Sequence, residues 1–101
     1  MFVKVHRRVS QGYERTVVAL CDAKLLGKKF RSANFVLDLQ AYRAFYDGER
    51  VTESQAVELL KNSGNANIVG PKSIKAAEKA FNTKLVIKKI AGIPHTQVYR
   101  V

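Results

Sequence analysis

The sequence predicts an α+β fold, a single compact domain over residues 1–101 with a mostly antiparallel sheet and two main helices packed on one face. Three observations lead there. Alternating, β-branched segments stand at both ends of the chain, two helix-start signals stand between them at Thr52 and Gly70, and no linker or repeat divides the 101 residues. A chain of that length suits one modest core.

Val3 and Val5 alternate with Lys4 and His6, so residues 2–9 are predicted as a half-buried strand whose second face carries Lys4, His6 and Arg8. Gln11-Gly12 turns the chain, and the apolar, β-branched run over residues 15–21 suits a central strand buried on both sides. Residues 2–21 therefore form an antiparallel hairpin. Asp22 to Gly27 is expected as a short helical turn, capped by Asp22 and released by glycine. Phe35, Leu37 and Leu39 mark a third strand, residues 40–46 carry no clear pattern, and Asp47-Gly48 is a turn.

Thr52-Glu-Ser-Gln55 is a capping box, and Ala56, Val57, Leu59 and Leu60 continue it as a helix over about residues 53–62. Residues 63–70 are expected as a loop leading into a second helix, where Gly70 suits the cap and Pro71 the first helical position. That helix runs to about Phe81, with Ile74, Ala77 and Phe81 in one arc and Lys72, Lys75 and Lys79 on another face. Residues 85–90 and 97–101 read as two further strands, and Gly92 to Gln97 as the connection between them.

Composition narrows the function classes. Hydrophobic residues make up 47% and charged residues 26%, which argues against intrinsic disorder. The longest apolar run is far short of the roughly twenty residues of a membrane helix, and the start MFVKVHRRV lacks a signal peptide's apolar region, so a cytoplasmic protein with no membrane partner is expected. A lone Cys21 fits a reducing compartment. Two histidines and one cysteine show no metal-type spacing, and no Walker or dinucleotide motif is present, so neither metal nor cofactor is expected.

Charge points to polyanions: 18 Lys and Arg face 8 Asp and Glu, a net +10. The leading expectation is a non-enzymatic RNA-binding protein, or one associated with the ribosome or translation factors. A solvated lysine-rich surface suited to a hot or salt-rich cell is the plain alternative. Lys72, Lys75 and Lys79 would contact phosphates and Lys24, Lys28, Lys29 and Arg31 would extend the basic surface. Asn67 and Gly70 would shape a contact loop at a helix N-terminus suited to phosphate. Phe30 is expected in the core.

The combination of Cys21-Asp22, Leu26-Gly27-Lys28 with Phe30, Asn67-Ile-Val-Gly70 and Gly92-Ile-Pro-His95 with Gln97 resembles the archaeal domain-of-unknown-function family four hundred and twenty-four. Thr96 stands where that pattern has a small residue such as alanine. The resemblance covers essentially the whole chain and implies an archaeal cytoplasmic protein with a compact α+β fold and no established activity. The link to translation rests on charge and lineage.

Two other readings remain open at this level. A small enzyme would gather Cys21, Asp22, Asn67 and His95 into one pocket, with Gln97 beside them. A protein-interaction module would form a homodimer through the edge of the C-terminal strand. For His95 the structural role is preferred, a hydrogen bond to a backbone group near Cys21-Asp22.

Overall fold

The computed structural model describes residues 1–99. Strands β1 (Phe2–Ser10) and β2 (Tyr13–Cys21) form the expected hairpin, in register from Phe2 opposite Cys21 to Ser10 opposite Tyr13. After it come β3 (Lys29–Ser32), β4 (Phe35–Asp38), the single turn α1 (Arg43–Tyr46) and the short strand β5 (Glu49–Arg50). Helix α2 (Glu53–Lys61), strand β6 (Asn65–Val69), helix α3 (Pro71–Phe81) and strands β7 (Lys88–Ile90) and β8 (Ile93–Tyr99) complete the chain. The main sheet runs β5-β1-β2-β6-β8-β7, and β3 with β4 makes a separate two-stranded sheet. All pairings are antiparallel except β2 with β6.

The predicted α+β architecture holds, with α2 and α3 on one face of the sheet. Val3, Val18, Leu20, Ala66 and Ile68 point to that face and pack with Ala56, Leu60, Ile74, Ala76 and Ala77 of the helices. Leu20, Leu60 and Ile68 are fully buried, each side chain contributing roughly 1.5–3 kcal/mol relative to exposure. The capping box forms as expected: Thr52 Oγ1 accepts from the Gln55 amide at 3.2 Å, and Gln55 Oε1 accepts from the Thr52 amide at 2.9 Å.

Five expectations are corrected. Residues 63–70 are no loop: Ser63 and Gly64 lead straight into β6, which lies between β2 and β8 with Ala66, Ile68 and Val69 buried. Asparagine is a poor strand former alone, but at alternate positions it leaves the other face apolar, and burial of that face decides. The run Asp22 to Gly27 is a chain of turns rather than a helix. The strand at 35–38 pairs with β3 away from the main sheet. Gly92 to Gln97 is not a connection, for the turn is Ala91-Gly92 alone, at φ 52° and 79°, and Pro94 and His95 stand within β8. The strand foreseen at 85–90 begins only at Lys88. The last two residues of the strand foreseen at 97–101 lie outside the described residues.

The second sheet face carries its own core. Ala19, Cys21 and Val69 pack there with Leu39 and Tyr46 under the segment 22–46. Asp22, at the end of β2, joins the two halves. Its amide donates to Val69 O at 3.0 Å, and its carboxylate accepts from the Lys72 amide at 3.1 Å and the Ser73 amide and hydroxyl at 2.7 Å each. The sequence assigned Asp22 to its own turn; it caps α3 instead, because the parallel β2–β6 pairing sets it beside that helix's free amides. Gly70 makes room: it sits at φ 105°, and a Cβ there would lie 2.3 Å from Asp22 Cγ.

Two stability measurements check this account. Asp22→Ala leaves buried donors without an acceptor and should cost about 3 kcal/mol in urea unfolding, with Asp22→Asn intermediate; a loss under half a kilocalorie would show that the cap is not structural. Ala91→Asn should stabilise by about 1 kcal/mol, because asparagine tolerates the left-handed conformation that alanine resists. An unchanged or lower melting temperature would contradict it.

Candidate nucleic-acid interface

Directly opposed residues share a sheet face, so the register places Arg8 and Arg15, His6 and Val17, Asn65 and Tyr99, and Asn67 and Gln97 on the face away from α2 and α3. The segment 22–46 covers only part of it. Lys4 Nζ donates to Ala44 O at 2.8 Å, and His6 Nε2 lies 2.8 Å from Phe45 O with its ring stacked on Phe45 at 4.3 Å. Because a carbonyl only accepts, His6 carries its proton on Nε2. Two members of the basic face read from the sequence thus hold α1 in place.

The remainder of the face is open. Arg8, Tyr13, Arg15, Asn65 and Tyr99 surround a concavity of about 470 Å³ floored by Val17. Tyr13 and Tyr99 are 73% and 72% exposed, which leaves both rings available to stack. Gln97 and Asn67 border a second hollow beneath Leu37 and Tyr42. The Tyr99 hydroxyl donates to Gln97 Oε1 at 3.3 Å, which leaves the Gln97 amide nitrogen as a donor.

Ion pairing sets which cations remain. Arg7 is paired with Glu14, Lys29 with Asp38, Arg43 with Asp47, Lys61 with Glu58 and Lys79 with Glu53. Arg8 and Arg15 enter no ion pair among the described residues. Lys79 approaches Glu53 to 2.6 Å and, with Lys75 nearby, holds that carboxyl below its ordinary value.

The structure does not bring the sequence-predicted basic residues together. Lys72, Lys75 and Lys79 lie on α3, on the helical side, whereas Lys24, Lys28, Lys29 and Arg31 lie on the segment over the opposite face. Lys24, Lys28 and Arg31 are exposed. Phe30 packs in the core as expected. Gly70 is buried, donating its amide to Pro94 O at 2.8 Å, so it shapes no contact loop. The phosphate site foreseen at the α3 N-terminus is filled by the Asp22 carboxylate, an internal anion held by the same amides and dipole.

The four residues of the enzyme reading do not meet. Cys21 is fully buried, and burial, aided by Asp22, pushes its thiol up to about 12, so it holds no thiolate at neutral pH. Asp22 is engaged at α3. Val69 stands between Cys21 and His95 in the register, which sets those two roughly 9–10 Å apart across the sheet. No backbone group braces His95: its Nε2 is buried without a hydrogen-bond partner among the described residues. Strand β7 lies outside β8 in the sheet order but pairs only with Ile93 to His95, so the outer edge of β8 from Gln97 to Tyr99 carries no partner strand among the described residues. Among the described residues, no helix is long and apolar enough to cross a membrane, and no three His, Cys, Asp or Glu cluster as metal ligands.

Sequence reasoning missed Tyr13, Arg15 and Tyr99. The signal for Arg15 was present, since a two-residue turn at Gln11-Gly12 sets it opposite Arg8. Tyr99 needed the position of β6, which was read as loop.

The chain is similar to a solved structure described as the crystal structure of an uncharacterized conserved protein from Methanopyrus kandleri, at 21% identity and a TM-score of 0.80, over 99% of this chain and 90% of that one. At that identity the likeness concerns the fold. No curated protein matches the chain. A family model described as protein of unknown function (DUF424) matches residues 9–101.

Burial, with Lys88 opposite, holds His95 below its ordinary value of 6.5. The unfolded chain therefore binds that proton more readily, so stability from neutral His95 is present above pH 6.5 and lost as pH falls below it. The stability difference between wild type and His95→Ala should shrink on acidification through that range, read by thermal melts. A difference independent of pH would contradict the assignment.

Proposed function

The chain belongs to the family described as protein of unknown function (DUF424), and from that premise we propose that it binds single-stranded RNA on the uncovered half of its sheet. The observation that carries the reading is the hollow where Arg8 and Arg15 stand among the exposed rings of Tyr13 and Tyr99, with Asn65 at its border. Single strands are bound by this combination: aromatic faces stack on bases, cations follow the backbone, and amides reach base edges. A duplex presents stacked bases that such rings do not reach. The net charge of +10 adds long-range attraction for any polyanion, and the open sheet face gives it a place to act. Association with the ribosome or translation belongs to the same proposal and rests on charge and lineage.

The test is fluorescence anisotropy with short single-stranded RNA over a range of salt. Tyr13→Ala and Tyr99→Ala should each weaken binding by about 1–3 kcal/mol. Arg8→Gln and Arg15→Gln should each reduce the slope of log K against log salt by about 0.7. Lys72→Gln with Lys75→Gln, on the helical side, should change affinity far less. Absence of binding at low salt would reject the proposal, and sensitivity confined to the helix lysines would move the site off the sheet.

A further inference from the structure

At the edge of the sheet beside the start of β7, Val86, Lys88, His95, Thr96 and Gln97 line a separate cavity of about 340 Å³. Its chemistry differs from that of the open hollow. Lys88 and His95 stand directly opposite each other on β7 and β8, and Gln97 follows on the same face. Thr96 Oγ1 already donates to Val86 O at 2.9 Å, tying the segment before β7 against β8 and closing the cavity's rim. His95 Nε2 is buried with no partner among the described residues. A buried ring nitrogen of this kind is costly unless a ligand or water completes it.

We propose that this cavity takes the terminal phosphate monoester of an RNA strand whose bases lie along the sheet face, an inference that rests on the RNA-binding reading. Lys88 Nζ and the Gln97 amide nitrogen are donors beside the hollow, and the His95 ring lines it. A terminal monoester offers three unlinked oxygens and a second negative charge, whereas an internal diester offers two and a single charge. The cavity's size suits a terminal nucleotide. Gln97 connects it to the stacking surface, since it lines both this cavity and the hollow beside Asn67 and accepts from Tyr99. Along β8, His95 and Tyr99 are four residues apart, roughly 13 Å, a span that a short extended oligonucleotide covers.

The experiment compares one short oligouridylate carrying hydroxyls at both ends, a 5′-phosphate, or a 3′-phosphate. One phosphorylated form should bind wild type about tenfold more tightly than the unphosphorylated strand, as expected of charge-assisted hydrogen bonds to a dianion. Which form gains tells which end is held. His95→Leu and Lys88→Met should abolish the gain while leaving the unphosphorylated strand's affinity within about twofold, consistent with loss of one surface cation. Lys89→Met removes the same charge from the opposite face and should retain the gain. Inorganic phosphate added to the free protein should shift the His95 ring resonances in NMR. Equal binding of all three strands, or a gain that survives both cavity variants, overturns the inference and leaves the RNA-binding reading standing. Failure of every strand to bind removes both.

Discussion

The carboxylate of Asp22 at the N-terminus of α3 is the contact on which the rest of the structure depends. It joins the end of β2, the end of β6 and the start of α3, the three elements that meet where the only parallel pair among the described strands stops. A buried charge is tolerated there because two amides, a hydroxyl and the positive end of the helix surround it. Gly70 is the other half of the constraint, since any side chain would occupy the carboxylate's place. Once the crossing is set, α3 lies across the sheet and packs with α2.

That lock also determines where a ligand does not bind. A helix N-terminus opened by glycine and proline, flanked by lysine, has the makings of a phosphate site, yet its donors already hold an anion belonging to the chain. The polyanion-binding capacity implied by the net charge has to be found elsewhere. Acidic residues pair with two of the candidates by sequence, Lys79 and Lys29, which lie against Glu53 and Asp38, while Lys24, Lys28, Arg31, Lys72 and Lys75 enter no ion pair among the described residues. Arg8 and Arg15 keep their charge beside two exposed tyrosines.

The two faces of the sheet divide the work of folding and of recognition. One is closed by helices over Val3, Val18, Leu20, Ala66 and Ile68, with Val9 exposed toward the hairpin turn. The other is closed only as far as the 22–46 segment reaches, with Lys4 and His6 holding its far end by bonds to the carbonyls of Ala44 and Phe45. Where that cover stops, the alternation of the strands presents Asn67, Gln97, Asn65 and Tyr99 in a row, and the open surface is a consequence of the cover's length.

By itself the sequence determined what depends on near neighbours. The capping box at Thr52 and Gln55, the Gly70-Pro71 start of α3, the two-residue turn at Gln11-Gly12 and the family pattern through Gly92, Pro94 and His95 are all local, so their physics is complete within a few residues. The α+β class followed from their order. Tertiary structure decided whatever depended on distant partners. Asn65 and Asn67 read as loop because their strand character comes from burial of Ala66 and Ile68 between β2 and β8. His95 looked like a brace within a turn because nothing local shows that Val69 and Lys88 flank it in a sheet. Asp22 was assigned to its own turn because its actual partners lie fifty residues away along the chain. A side chain's role is set by the groups around it, and in a sheet those groups come from strands whose pairing only the folded core selects.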